Sequence, residues 1–188
     1  GLYQSKKGQP NCTECPISNY TDQSKQTACK TCDDEETSVQ GSTFCTKCGA
    51  GQFMSTDKIC TRCDSGQVST YGQKSCTNCM PGYYSNEDNS TCIGCPPGKY
   101  SNQNLQSSVA SCTNCTHGRY SDAVGQSSAL GCYACSAGKY SNEEGMIKKK
   151  ACKDCLQGHH QDAPGNESCV KCSVGQYMNE NGAVNCLD

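Results

Sequence analysis

Cysteine is the residue type here with chemistry to offer, and it comes at one spacing. Twenty of the 21 cysteines form ten C-x-x-C pairs: Cys12/Cys15, Cys29/Cys32, Cys45/Cys48, Cys60/Cys63, Cys76/Cys79, Cys92/Cys95, Cys112/Cys115, Cys132/Cys135, Cys152/Cys155 and Cys169/Cys172, while Cys186 begins an eleventh. Such a pair can exchange disulfides as a redox site, supply half of a tetrahedral zinc site, or contribute to a framework of cross-links. A redox site needs one pair on a βαβ scaffold, whereas ten pairs recur here with no helical period between them. Two pairs separated by 11 to 16 residues do match a four-cysteine zinc site. Against zinc, the residues after the second cysteine recur as Gly-x-Tyr, which ligates nothing, and the spacing does not alternate between loops inside a site and linkers between sites. The expected chemistry is a disulfide framework formed in an oxidising compartment, with an intracellular zinc array as the remaining alternative.

The elements that must hold these cysteines are short. First cysteines recur every 15 to 20 residues, the signature of a repeat array in which each unit leans on its neighbours. The second cysteine is followed by x-x-Gly-x-Tyr-Ser in Cys79…Gly82-Tyr83-Tyr84-Ser85, Cys95…Gly98-Lys99-Tyr100-Ser101, Cys115…Gly118-Arg119-Tyr120-Ser121 and Cys135…Gly138-Lys139-Tyr140-Ser141. Gly51, Gly66, Gly158 and Gly175 keep the glycine; Phe53 and Tyr177 keep the aromatic, and Val68 and His160 replace it. Ser18 and Glu35 stand at the glycine site in the two weakest copies. The glycine predicts a turn with positive φ. The aromatic starts a short strand and is expected to stack over the disulfide of an adjacent rung as a one-residue core. Polar turns such as Asp122 to Gly125 and Asn142 to Gly145 return the chain to the next pair, so each unit reads as a small irregular β-hairpin.

Composition agrees. Leu, Ile, Val and Phe together number 18 of 188 residues and Trp is absent, far too little apolar surface to offset the ordering entropy of roughly 1–2 kcal/mol per residue. Cross-links must replace a core. The net charge of −2, from 16 basic and 18 acidic residues, excludes the basic stripe of a nucleic-acid binder. No apolar run is long enough to span a bilayer. No Asp, Ser and His fall into a catalytic pattern, and no enzyme activity, metal or cofactor is expected.

Uniform spacing favours a uniform connectivity, the second cysteine of each unit joined to the first of the next. That gives Cys15–Cys29, Cys32–Cys45, Cys48–Cys60, Cys63–Cys76, Cys79–Cys92, Cys95–Cys112, Cys115–Cys132, Cys135–Cys152, Cys155–Cys169 and Cys172–Cys186, with Cys12 unpaired within the chain. A crossed module, Cys12–Cys29 with Cys15–Cys32, is the competing rule. Five N-x-[ST] sequons, at Asn11, Asn19, Asn89, Asn114 and Asn166, are candidate N-glycan acceptors, Asn166 beside Gly165 foremost. The loops Cys95–Cys112, Cys115–Cys132 and Cys135–Cys152 hold 16 residues against 11 to 13 elsewhere, and carry Leu105, Val109, Val124, Leu130, Met146 and Ile147. These are expected to form a local apolar cluster, or else a contact patch for a partner. The acidic run Asp33 to Glu36 and the basic run Lys148 to Lys150 read as solvated faces, and His159 and His160 as packing residues. Gly1-Leu2-Tyr3 reads as the end of an earlier repeat and Cys186-Leu187-Asp188 as the start of a later one, so residues 1–188 are expected to be one continuous array of about eleven units within a longer protein.

The Cys-x-x-Gly-x-Tyr-Ser…Cys-x-x-Cys pattern resembles the cysteine-rich repeats of tumour necrosis factor receptors and the related ephrin-receptor-like repeats. It is also similar to the long C-x-x-C arrays of protist surface proteins, such as the immobilisation antigens of ciliates. The resemblance implies the second-to-first cysteine pairing given above. The expected fold is a small disulfide-rich one, an elongated tandem array of short irregular β-hairpins with little helix. The expected function is that of an extracellular structural or adhesion array in a larger surface protein or filament, glycosylated and contacting itself or neighbouring proteins. The alternative is a receptor ectodomain binding a protein ligand through the loops around 96–150.

Overall fold

The computed structural model describes residues 1–188. It is a small disulfide-rich fold with almost no helix: nine two-stranded sheets, no strand longer than three residues, and three single turns of 3₁₀ helix at Val109–Ser111, Ala129–Gly131 and Lys149–Ala151. No helix is long and apolar enough to cross a membrane. Ten disulfides staple it, joining Cys15–Cys29, Cys32–Cys45, Cys48–Cys60, Cys63–Cys76, Cys79–Cys92, Cys95–Cys112, Cys115–Cys132, Cys135–Cys152, Cys155–Cys169 and Cys172–Cys186, with Cα separations between 5.4 and 5.8 Å. Those separations are ordinary for the bond.

One local rule builds every unit. After the second cysteine the chain makes a turn whose first and fourth residues are hydrogen-bonded, as in Lys99 N–H to Pro96 C=O at 3.1 Å and Lys139 N–H to Ser136 C=O at 3.0 Å. The third residue of that turn is the motif glycine, with φ of 78° at Gly98 and 79° at Gly138, the left-handed value a type II turn demands. At Gly98 a second constraint adds to the first: a Cβ there would collide with the carbonyl of Gly145. Ser18, in the weak first copy, adopts the same left-handed conformation at φ 61° without being glycine. The aromatic pair of residues that follows then pairs antiparallel with the two residues between the next cysteines, as in Lys99–Tyr100 with Thr113–Asn114 and Arg119–Tyr120 with Tyr133–Ala134.

Backbone hydrogen bonds then tie each turn to its neighbours. The motif glycine accepts from the second cysteine of its own hairpin, Cys115 N–H to Gly98 C=O at 2.8 Å. It donates to the serine of the following motif, Gly98 N–H to Ser121 C=O at 2.8 Å. Farther along, Gly125, Gly145, Gly165 and Gly182 donate back to the carbonyls of Cys95, Cys115, Cys135 and Cys155 at 2.8–2.9 Å. Strands this short are stable only because every rung is bonded both within its hairpin and to the units after it.

The cysteine pattern runs unbroken, whereas the fold divides into two compact units: Gly1–Cys79 with Ser85–Cys92, and Met80–Tyr84 with Ile93–Asp188. The division falls where loop length changes, just before the first 16-residue loop. In the first unit the interior is Cys15, Cys32, Cys48, Cys63 and Cys79 with buried Ser18, Thr21, Ser38, Ser69, Ser85 and Asn89. In the second it is Cys95, Cys112, Cys115, Cys132, Cys135, Cys152 and Cys155, the serines Ser101, Ser121 and Ser141, Gln161 and one large apolar side chain, Met146. The local apolar cluster expected of the long loops therefore forms only in part. Met146 packs with Cys135, Cys152 and Tyr120, but Leu105, Val109, Val124, Leu130 and Ile147 are all exposed. The reason lies in the backbone: Met146 holds the loop position that bridges Tyr120, and in the preceding loops that position is taken by Gln106 and Gln126, which bridge Tyr84 and Tyr100.

Candidate protein-interaction surface

Turn geometry also decides which apolar side chains are pushed outward. Ile17 is the corner residue of the turn closed by Asn19 N–H to Pro16 C=O at 3.1 Å, and Val39 opens the turn closed by Ser42 N–H to Val39 C=O at 3.2 Å. Phe44 and Ile59 each directly precede a first cysteine, Cys45 and Cys60. All four are about half or more exposed, at 52%, 75%, 64% and 48%. They converge on a largely apolar groove of about 430 Å³ within the first unit, completed by Thr37 and Thr46. Phe44 also walls an adjoining concavity of about 280 Å³ whose other side holds Tyr20, Asp22, Asp33 and Glu36. Four exposed apolar groups thus share one concavity beside charged groups.

The charges around this surface are partly spent. Asp22 bonds Lys30 at 2.8 Å, and the hydrogen bond from the ammonium group holds its carboxyl below the ordinary value. Glu35 receives Lys74 at 3.0 Å and Lys47 at 3.2 Å, which lower its pKa in that order, and Asp34 meets Lys58 at 3.2 Å. The acidic run is thus laced to lysines of its own and later hairpins, leaving Asp33 and Glu36 without an ion pair beside Phe44.

The second unit has its own outward patch. Leu130, in the middle of the 3₁₀ turn Ala129–Gly131, is 91% exposed and lines a concavity of about 260 Å³ with Tyr100, Arg119 and Cys132. Arg119 is held there by donating to the Cys132 carbonyl at 3.0 Å. The Lys148 to Lys150 run is exposed, its last two residues lying in the 3₁₀ turn Lys149–Ala151.

The remaining sequence candidates fall as follows. Cys12 is free and exposed. Among the sequons, Asn11 is exposed and Asn19, Asn114 and Asn166 are partly exposed. Asn89 stands apart from the other four. It is 7% exposed, at φ 58°, and its side-chain amide donates to the Cys63 carbonyl at 2.7 Å. This is the bond that a glycine N–H makes to a cysteine carbonyl in other rungs. The nitrogen that would carry a glycan is the one that makes this hydrogen bond. His160 holds the aromatic site of its repeat, with its Nδ1 3.1 Å from Cys186 Sγ. Both sulfurs of that cluster are joined in the Cys172–Cys186 disulfide, so neither is a thiolate able to hold a metal ion.

The Phe44 groove was missed from the sequence, although a signal exists: Phe44 and Ile59 are the only large apolar residues directly before a first cysteine. Among known families, residues 82–129 match the one described as "Tyrosine-protein kinase ephrin type A/B receptor-like". No curated protein matches the chain significantly. The match spans part of the second unit and the end of the first, and it is consistent with the ten disulfides in tandem, as in cysteine-rich repeats of the ephrin-receptor-like kind.

Proposed function

We propose that this chain is a non-enzymatic adhesive segment of an extracellular protein, an array of cysteine-rich repeats that holds other protein surfaces, a second copy of itself foremost, through the Phe44 groove. The observation that carries the reading is the convergence of Ile17, Val39, Phe44 and Ile59 on one exposed groove in a chain with so few large apolar residues. Ten disulfides and the receptor-like match support an extracellular setting. Beads coated with the chain should cluster in suspension, and beads carrying Phe44→Asp should stay dispersed with all ten disulfides intact. Wild-type beads that never cluster would rule out self-adhesion.

A second reading, a receptor ectodomain that takes a protein ligand through the long loops, is favoured by Leu130 standing almost fully in solvent. It makes Leu130→Asp, not Phe44→Asp, the substitution that abolishes binding to cells bearing the ligand.

A further inference from the structure

The aromatic site of the motif has a fixed neighbour in the second unit: the C-terminal cysteine of a later disulfide. Tyr120 packs against the cluster that holds Cys152, Tyr100 lines a cavity with Cys132, and Tyr140 lines one with Cys169. In the next rung the same place is taken by His160, whose Nδ1 lies 3.1 Å from Cys186 Sγ. A ring nitrogen of His160 and the sulfurs of Cys172 and Cys186 all lie within 4.8 Å of one another. Where three rungs stand a phenol ring near that cysteine, this one places an imidazole nitrogen against its sulfur. Cys172 and Cys186 are both partly exposed.

We propose that the Cys172–Cys186 disulfide is a thiol-reducible modification site, and that His160 is the acid that assists its opening. An external thiolate, from a small thiol or a protein dithiol, attacks Cys172 Sγ. The sulfur–sulfur bond breaks and its electron pair leaves on Cys186 Sγ, which takes the proton from His160 Nδ1. The products are a mixed disulfide on Cys172, a thiol on Cys186 and a neutral imidazole. A second thiolate then attacks the external sulfur of the mixed disulfide, releasing Cys172 as a thiolate, which takes a proton from water, and the reductant as its own disulfide. Cys186 is the leaving sulfur because a neighbouring histidine proton favours it, and a better leaving thiol departs faster.

The test is reduction of the intact chain by limiting glutathione, with each cysteine followed over time by differential alkylation and peptide mass spectrometry. Cys172 and Cys186 should be the first to alkylate. Both His160→Tyr, which restores the aromatic of the repeat, and His160→Gln, which keeps a polar side chain without the acid, should slow their release by about tenfold, the scale of a lost leaving-group effect. The other nine disulfides, in the same tube, should keep their rates. Uniform reduction of all ten would overturn the proposal, and so would slowing by His160→Tyr alone, which would mean that the ring only shields the bond.

Discussion

The three repeats with 16-residue loops and the seven with shorter loops solve the same problem differently. In the long-loop repeats both ends of the disulfide are buried: Cys112, Cys132 and Cys152 are 4%, 2% and 7% exposed. In every shorter loop the C-terminal cysteine, from Cys29 through Cys92 and again at Cys169 and Cys186, is only partly buried. The extra residues form the 3₁₀ turn that runs directly into the cysteine, and the cysteine N–H closes it, as in Cys132 N–H to Ala129 C=O at 3.1 Å. That turn adds backbone bonds which the shorter loops lack. Side chains serve backbone groups in both classes: Asn89 stands in for a glycine N–H on Cys63 and Ser85 Oγ accepts from Gly66 N–H at 3.1 Å in the short-loop region, while Ser141 Oγ accepts from Glu143 N–H at 3.1 Å in a long loop.

The sharpest way to break that comparison is to delete one staple from each class. Removing a disulfide that closes a loop of this size is expected to cost about 3 kcal/mol from chain entropy alone. Cys115→Ala with Cys132→Ala also empties two buried sites, so it should lower the denaturation midpoint more than Cys48→Ala with Cys60→Ala, whose second cysteine is partly exposed already. Equal losses measured by guanidinium titration would mean that burial of the sulfur adds nothing.

Glycine substitutions come next. Gly98 and Gly158 share the motif position and a left-handed φ, 78° and 75°, but a Cβ at Gly98 meets the Gly145 carbonyl while one at Gly158 meets nothing within 4 Å. Gly158→Ala should cost about 1–2 kcal/mol, the left-handed penalty alone. Gly98→Ala must add a backbone shift and cost more. Ser18, tolerated at φ 61°, shows that conformation alone does not forbid a side chain.

Asn89 tests the short-loop class directly. Asn89→Ala leaves the Cys63 carbonyl buried without its donor, a loss of about 1–3 kcal/mol. Asn89→Gly keeps the positive φ and should suffer from the missing amide alone. Mass spectrometry of glycopeptides from secreted chain should find Asn89 bare, with any N-glycans confined to Asn11, Asn19, Asn114 and Asn166.

Much of this fold was legible because its information is local. The hairpin count, the turn after each second cysteine and the absence of long helix all follow from residues within one period, and the type II glycine is readable at Gly82, Gly98, Gly118 and Gly138 without any knowledge of what they pack against. What was not legible depends on the next unit. Leu130 and Met146 look alike in composition, yet only Met146 stands at the position that bridges a tyrosine and turns inward. Asn89-Ser90-Thr91 reads as a sugar acceptor, and nothing in it announces that its amide bonds the Cys63 carbonyl, 26 residues earlier. The Phe44 groove gathers residues from Ile17 to Ile59, a span of several repeats whose convergence no single motif announces.

The smallest expected effect separates the two units by pH. Asp22, Glu35 and Asp88 all lie in the first unit, and each is held below its ordinary value: by hydrogen bonds from Lys30, from Lys74 and then Lys47, and from Ser90. A carboxyl whose folded pKa is depressed contributes stability that is present above its ordinary value, 3.8 for Asp22 and Asp88 and 4.5 for Glu35, and lost as pH falls through the lower folded value. The second unit's shifted group is Lys153, raised above 10.5 chiefly by a hydrogen bond to Glu143, so its contribution is full below that value and lost only as pH rises through the higher folded one. Acid should therefore soften the first unit. Thermal melts followed by NMR through resolved amides of each unit, at pH 6 and pH 3, should show a small downward shift for residues such as Phe53, larger than for residues such as Tyr120. All these groups are exposed and screened by salt, so the shift should shrink further at high ionic strength. Glu35→Gln should remove part of it, and equal shifts in both units would show that the lysine pairing of the acidic run contributes nothing.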